Sequence, residues 1–138
     1  MIVVDTGIFL AYFVASDPDH ETARVLLEST DRRLATTPLV IAELDYFILE
    51  RFGPDVEARV LRYLLESPVS ITPFGAAELA ACTRLLARYK DLELGLTDAS
   101  VLSAAEDLGT STIATLDFRD FRAVTTGSGR AFDLLPRG

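Results

Sequence analysis

Short apolar runs and longer segments of helical periodicity alternate along the chain. The apolar runs are rich in β-branched residues, which is typical of buried strands. Between them, apolar residues recur at the spacing of one helix face. Strands are predicted over residues 2–4, 34–36, 69–72, 112–115 and 131–135. Helices are predicted after residue 5, after residue 17, and over residues 38–51, 55–66, 76–90, 97–108 and 118–121.

This alternation defines a fold class. Strands separated by helices indicate a parallel sheet with helices on both faces. We therefore predict an α/β fold of three layers, α/β/α, around a central, mainly parallel sheet of about five short strands. The length of 138 residues fits a single domain, 1–138. Right-handed crossovers then bring the carboxyl ends of the strands to one edge.

Polar residues, proline and glycine mark the expected helix ends. Asp17 is predicted to cap the second helix, with Pro18 at its first position. Thr97 is predicted to cap the helix that carries Asp98. Gly53 is predicted to end the helix over residues 38–51.

The charge balance is acidic, with 21 Asp and Glu against 13 Lys and Arg and a formal net charge of −8. A broad nucleic-acid platform neutralises phosphates with clustered Lys and Arg, so this balance argues against one. It does not exclude a nuclease, because carboxylates at a metal site count fully in the sum while bound cations cancel them locally. It is also compatible with a basic protein partner.

Cysteine, histidine and hydropathy add three expectations. The single cysteine, Cys82, excludes a disulfide framework and is predicted to be a small core residue. The single histidine, His20, has no Cys or His neighbour at metal-ligand spacing and is predicted to lie on the surface. No run approaches the roughly 18 apolar residues of a membrane span, and Met1 leads directly into the first strand without a secretion signal. We therefore expect a cytoplasmic protein with no membrane association.

Acidic residues stand where strands end or helices begin. Asp5 follows the first strand and Asp117 follows a later one, while Asp98 and Glu43 lie early in two helices. Strand carboxyl ends and helix N-termini share one edge of such a sheet, so these acids can converge. Carboxylates held close together repel unless cations intervene. A set of oxygen ligands without His or Cys selects hard cations, Mg²⁺ or Mn²⁺, which also bind phosphate oxygens.

A simpler interpretation remains open from these residues alone. Asp5 can cap the helix that begins at Thr6 or Gly7, and the other acids can be caps or surface residues. The chain has 21 acids, so a chance arrangement of this kind is easy to obtain.

The acidic segments, taken in order and with their spacing, resemble the four acidic motifs of PIN domains, and the chain length matches the bacterial VapC-type toxin ribonucleases. The resemblance covers essentially the whole chain. Its motifs here are Ile2-Val3-Val4-Asp5-Thr6-Gly7, Ala42-Glu43-Leu44, Leu96-Thr97-Asp98-Ala99 and Thr115-Leu116-Asp117-Phe118-Arg119-Asp120-Phe121.

The resemblance implies a Mg²⁺-dependent endoribonuclease, with Mn²⁺ able to substitute, that cleaves RNA phosphodiester bonds by metal-activated water. It implies a PIN-like fold and the toxin role in a type II toxin–antitoxin system. By motif match, the catalytic and metal-binding acids are Asp5, Glu43, Asp98 and Asp117.

Other residues receive roles from the same resemblance. Thr6 and Thr115 would orient water or a carboxylate. Asp120 is a possible fifth acid, although a solvated position on a helical turn is the interpretation we favour. Arg119 and Arg122 either contact RNA phosphate or are surface arginines.

The partners implied are a VapB-type antitoxin whose C-terminal segment covers the active site, a structured RNA substrate such as tRNA or rRNA, and a second copy in a homodimer. An apolar antitoxin helix would require a groove near the site. Four aromatic residues near the site would line that groove or pack in the core: Phe9, Tyr12, Phe13 and Phe47.

Two alternatives belong to other functional classes. A non-catalytic PIN-like module could hold a basic peptide on the acidic edge. A phosphatase of the aspartyl-phosphate type also starts with a strand ending in Asp. Such enzymes place a second acid two residues later, where this chain has Gly7, and need a lysine at the phosphate, where Lys90 is the only candidate.

Overall fold

The computed structural model describes residues 1–137, and Gly138 lies outside the described residues. Within them, the chain forms a five-stranded sheet in the order β3-β2-β1-β4-β5, and every neighbouring pair of strands is parallel. The predicted three-layer α/β/α fold with a central parallel sheet is confirmed. The strands are β1 (Ile2–Val4), β2 (Leu34–Thr36), β3 (Ser70–Ile71), β4 (Thr112–Ala114) and β5 (Asp133–Leu135).

Helices connect the strands and cover both faces of the sheet. A single 3-10 turn, Lys90–Leu92, follows α5. No helix in residues 1–137 combines the length and apolar character that a membrane crossing requires. The helices are α1 (Thr6–Phe13), α2 (His20–Ser29), α3 (Pro38–Phe52), α4 (Pro54–Glu66), α5 (Ala76–Arg88), α6 (Leu96–Asp107) and α7 (Phe118–Arg122).

The core lies between the sheet and the helices that pack on it. β1 and β4 are buried along their whole lengths, as expected for the central strands of a parallel sheet. In α6, every residue of the segment 99–105 is buried, because small side chains let this helix lie close to its neighbours. Cys82 is fully buried, which confirms its prediction as a core residue.

Helix α3 shows how the local sequence fixes an element that carries a site residue. Thr37 caps it, because its Oγ1 accepts a hydrogen bond from the amide of Val40 at 3.1 Å. Gly53 ends it with a φ of +85°, a conformation that favours glycine. Between these ends, Val40, Leu44 and Ile48 are buried on one face. The prediction for this helix is therefore confirmed.

Three local predictions are wrong. Helix α2 begins at His20 rather than at Pro18, because the Asp17 carboxylate instead accepts the Asp19 amide at 2.8 Å and closes a turn. His20 is half-buried rather than on the surface, and its Nδ1 lies 2.8 Å from the Ala11 carbonyl oxygen.

The third wrong prediction concerns the start of α6. The cap is Gly95, not Thr97, because the Asp98 carboxylate reaches back to accept the Gly95 amide at 3.3 Å. Helix α6 consequently begins at Leu96, and Asp98 stands in its first turn.

Replacement of Leu44 by alanine tests the core. Leu44 is fully buried on α3, so Leu44→Ala should lower the free energy of unfolding by about 2–5 kcal/mol through lost burial and a cavity. Urea denaturation measures this loss. Leu65 is 79% exposed on α4, and Leu65→Ala should change stability by less than about 0.5 kcal/mol. Equal losses for the two variants would contradict this packing.

Candidate active site

Asp5 lies directly after β1 and caps α1. Its Oδ1 accepts a hydrogen bond from the Thr6 amide at 2.8 Å, as the simpler capping interpretation expects. The residue is only 6% exposed, however, and its second oxygen faces a neighbouring strand. A buried carboxylate of this kind is costly unless donors or a cation compensate its charge. Capping therefore accounts for one oxygen of Asp5 only.

Thr115, at the end of β4, contacts the other oxygen. Its hydroxyl donates to Asp5 Oδ2 at 2.9 Å and accepts from the Asp117 amide at 2.9 Å. The Thr115 side chain is fully buried, so one hydroxyl fixes two acid-bearing segments with respect to each other. This arrangement agrees with the predicted role of Thr115 in orienting a carboxylate.

Asp98, Asp117 and Asp120 form a tight carboxylate cluster. Each offers an oxygen, and these oxygens all lie within 4.8 Å of one another. Asp117 caps α7 and accepts the Asp120 amide at 3.3 Å, while Asp98 approaches from the first turn of α6. All three side chains are half-buried. Asp120 therefore lies on a helical turn and remains partly exposed, as the favoured interpretation expects, while its carboxylate stands beside those of Asp98 and Asp117.

One cleft collects the four acids predicted from the motifs. Its volume is about 470 Å³, and its polar walls include the carboxylates of Asp5, Glu43, Asp98 and Asp117. Glu43 is contributed by α3 and Asp98 by α6. The remaining wall residues are Thr6, Gly7, Leu10, Phe47 and Leu116.

The pKa values of the acids report their crowding. Burial raises the pKa of Asp5, and the charges of Glu43 and Asp117 raise it further, against the hydrogen bonds from Thr6 and Thr115 that lower it. Burial and then the charge of Asp5 raise the pKa of Asp98 to about 6. Without a cation, the cleft therefore favours proton uptake on at least part of its carboxylates.

The donor chemistry fits a divalent cation. The cleft offers carboxylate oxygens without nitrogen or sulfur ligands among its described walls, which suits a hard ion. Thr6 adds a further oxygen, because its Oγ1 is buried without a hydrogen-bond partner within residues 1–137. A cation there would neutralise the charge that raises the pKa values of Asp5 and Asp98.

The two arginines proposed for RNA contact lie in different places. Arg119 is exposed. Burial and then the charge of Asp117 raise the pKa of Asp120, and the charge of Arg119 opposes this rise, so Arg119 stands near the acids. Arg122 instead lies over the Phe118 ring, 5.1 Å from its centroid, and lines a separate groove with Phe132 and Pro136. The structure therefore keeps Arg119 beside the cluster and turns Arg122 away from the acidic cleft.

The four aromatic residues near the site lie in three different environments. Phe9 is 2% exposed and belongs to the core. Tyr12 and Phe13 pack with Tyr63 of α4, and the Tyr12 hydroxyl lies 2.6 Å from that of Tyr63. Phe47 is 38% exposed and lines the acidic cleft, so it does not pack in the core.

The sequence analysis did not predict one contact that positions the site. The Thr37 hydroxyl lies 2.8 Å from that of Ser100, which ties the start of α3 to the start of α6. These are the helices that carry Glu43 and Asp98. No motif marks this pair, whereas the spacing of three residues between Asp117 and Asp120 could have indicated that both face the same side.

The phosphatase alternative finds no lysine at the cleft. Lys90 begins the 3-10 turn after α5 and is absent from the described walls of the cleft.

The raised pKa of Asp98 predicts a pH dependence of stability in metal-free buffer. Folded Asp98 holds its proton up to about pH 6, whereas an unfolded chain releases it near about pH 3.9. The folded state thus binds more protons between these values, and this contribution to stability is lost as the pH rises through them. Asp98→Asn should therefore raise the melting temperature relative to wild type by more at about pH 7 than at about pH 4.

Asp107, an exposed acid on the same helix, provides the control. Asp107→Asn should shift the melting temperature by a similar amount at both pH values. An Asp98→Asn shift that does not depend on pH would contradict the crowding of acids in the cleft.

Comparison with known proteins agrees with this geometry. The chain matches the PIN domain family over residues 2–126. It is 37% identical to Ribonuclease VapC26 of Mycobacterium tuberculosis, in an alignment covering 98% of this chain and 100% of that protein.

Solved structures share the fold. VapC20 of Mycobacterium tuberculosis, described as a sarcin-ricin loop cleaving toxin, superposes with a TM-score of 0.81 at 22% identity, covering 89% of this chain and 95% of that one. VapBC2 from Rickettsia felis, bound to a DNA fragment from its promoter, gives a TM-score of 0.70 at 20% identity, covering 97% of each chain. The match across the family's length, together with the VapC26 identity, shows that this chain belongs to the PIN-domain family, among the VapC-type ribonucleases.

Proposed function

We propose that the chain is a Mg²⁺-dependent endoribonuclease and the toxin of a type II toxin–antitoxin pair. The observation that carries the proposal is the convergence of Asp5, Glu43, Asp98 and Asp117 on one cleft, with Asp120 beside them. Membership of the VapC-type ribonucleases supports the same reaction class.

The residues that would hold the cation are those whose charges already crowd one another. Asp98, Asp117 and Asp120 offer mutually close oxygens, and Asp5 and Glu43 complete the acidic walls. Mg²⁺ suits this all-oxygen set, and Mn²⁺ should substitute. These carboxylates would hold a divalent cation, which would supply activation of water and stabilisation of the negative charge on the phosphate in phosphodiester cleavage.

The chain's own hydroxyls orient the site. Thr115 holds the Asp5 carboxylate through the bond to Oδ2, so Asp5 cannot rotate away from the cleft without losing that bond. The partnerless Thr6 Oγ1 is available to a water molecule or a phosphate oxygen. Arg119, beside Asp120, would contact the RNA backbone close to the cut, whereas Arg122 would do so only from the neighbouring groove.

The substrate and partners follow from the same family. VapC20 cleaves the sarcin-ricin loop, which supports a structured RNA such as rRNA or tRNA as the substrate of this chain too. Such a substrate would place the enzyme in the cytoplasm. The related VapBC2 complex supports a VapB-type antitoxin as its partner, and we further propose that the toxin forms a homodimer.

Neutralising one carboxylate tests the proposal. Asp98→Asn should reduce RNA cleavage by more than roughly 100-fold, because it removes a metal ligand and not merely a residue that orients one. Asp5→Asn should have a comparable effect. Cleavage of total RNA in Mg²⁺, followed by gel electrophoresis, measures the loss, and EDTA should abolish cleavage by the wild type.

Asp107→Asn, at the far end of the helix that carries Asp98, is the matched control and should cleave as the wild type does. Undiminished cleavage by Asp98→Asn, or by EDTA-treated protein, would overturn the proposal. Saturable binding of Mn²⁺ without any RNA cleavage would favour the alternative, a non-catalytic module that holds a basic peptide.

A further inference from the structure

We propose that Phe47 is a stacking platform that receives an unpaired nucleobase at the acidic cleft. This inference rests on the proposed ribonuclease function and assigns a binding subsite within it. Phe47 is 38% exposed, and its side chain lines the same cleft as Asp5 and Asp98. Phe52 on the same helix is also exposed, at 43%, so exposure alone does not distinguish Phe47. Its place in the wall of the acidic cleft does, because an aromatic face there is available to a ligand that the acids bind through a cation.

The position of Phe47 on α3 relates it directly to the acids. Glu43 and Phe47 are four residues apart on this helix, so their Cβ atoms are about 5–6 Å apart on one face. A phosphate drawn to a cation among the carboxylates therefore lies beside the ring. The base attached to the same or the next ribose can then reach the ring.

The platform is held on a rigid element. Helix α3 is capped by Thr37 and ended by Gly53, and its opposite face is buried through Val40, Leu44 and Ile48. The ring of Phe47 also packs against that of Tyr46, at 5.7 Å between centroids and 66° between planes. The backbone that carries the ring is therefore already ordered before a base stacks.

The carboxylates around Phe47 favour a nucleobase over an apolar helix as the ligand of the ring. Glu43 and Asp98 stand in the same cleft, so a purely apolar helix laid over Phe47 would have to desolvate carboxylates without offering donors. A nucleobase presents an apolar face to the ring and amino donors at its edge. No Lys or Arg is among the described walls of the cleft, so stacking would supply affinity that direct phosphate contacts there do not.

Tryptophan fluorescence tests the platform in the full-length chain. The protein has no tryptophan, so Phe47→Trp introduces a unique indole at the proposed subsite. The probes are a single-stranded hexa-adenylate with phosphorothioate linkages, which slow cleavage, and an abasic ribose-phosphate oligomer of the same length. Phe52→Trp is the control, because Phe52 is 43% exposed on the same helix but lies outside the cleft walls.

We expect hexa-adenylate in Mg²⁺ to quench Phe47→Trp emission, the abasic oligomer to leave it unchanged, and Phe52→Trp to respond to neither. Absence of quenching while a dye-labelled hexa-adenylate binds by fluorescence anisotropy would overturn the inference. Equal quenching at positions 47 and 52 would overturn it as well. A response of Phe47→Trp to an apolar peptide but not to RNA would assign the ring to a protein partner instead.

The affinity for RNA, measured by anisotropy with the dye-labelled hexa-adenylate, gives a second readout. Phe47→Ala should weaken RNA binding by about 5- to 150-fold, the range measured for loss of one base–aromatic stack. Phe47→Tyr should restore binding, and Phe52→Ala should leave it unchanged. The two proposals fail in different ways. If only the proposed function is wrong, the wild-type protein cleaves no RNA but hexa-adenylate still quenches Phe47→Trp emission.

Discussion

The hydroxyl of Thr115 holds the buried carboxylate of Asp5, and the rest of the site is arranged around this contact. Asp5 is nearly inaccessible, and its two oxygens take one hydrogen bond each from Thr6 and Thr115. Those bonds stabilise the charged form without neutralising it. The remaining acids add negative charge to the same cleft, so its ionised state depends on a cation from outside the chain.

Sheet topology explains why this contact occurs where it does. From β1 the chain proceeds outward to β2 and β3, and afterwards it crosses to the other side of β1 to form β4 and β5. The strand order therefore reverses between β1 and β4, and a crevice opens there at the carboxyl ends of the strands. Asp5 follows β1 and Thr115 follows β4, so both flank this crevice. The helices α3 and α6, joined by the Thr37–Ser100 pair, bring Glu43 and Asp98 to it.

The sequence predicted the fold because its signals are local and repeated. The apolar runs ending at Asp5 and Thr115 mark strands of a parallel sheet, and parallel strands necessarily share one carboxyl edge. The convergence of acids could therefore be predicted from order alone. The same reasoning could not place Asp120, Phe47 or Arg122, since each depends on which side of a helical turn faces the cleft, and packing decides that. The predicted starts of α2 and α6 were wrong for a related reason, because local side-chain contacts decide them: Asp17 accepts the Asp19 amide, and Asp98 accepts the Gly95 amide ahead of the predicted cap at Thr97.

We infer that these carboxylates gather to hold one or more divalent cations. The most direct measurement is anomalous diffraction from crystals of the protein soaked in Mn²⁺. We expect anomalous density within the cleft, at ligand distance from carboxylate oxygens of Asp98 and Asp117 and close to Asp5. Density found only at other surface acids, with an empty cleft at saturating Mn²⁺, would contradict it.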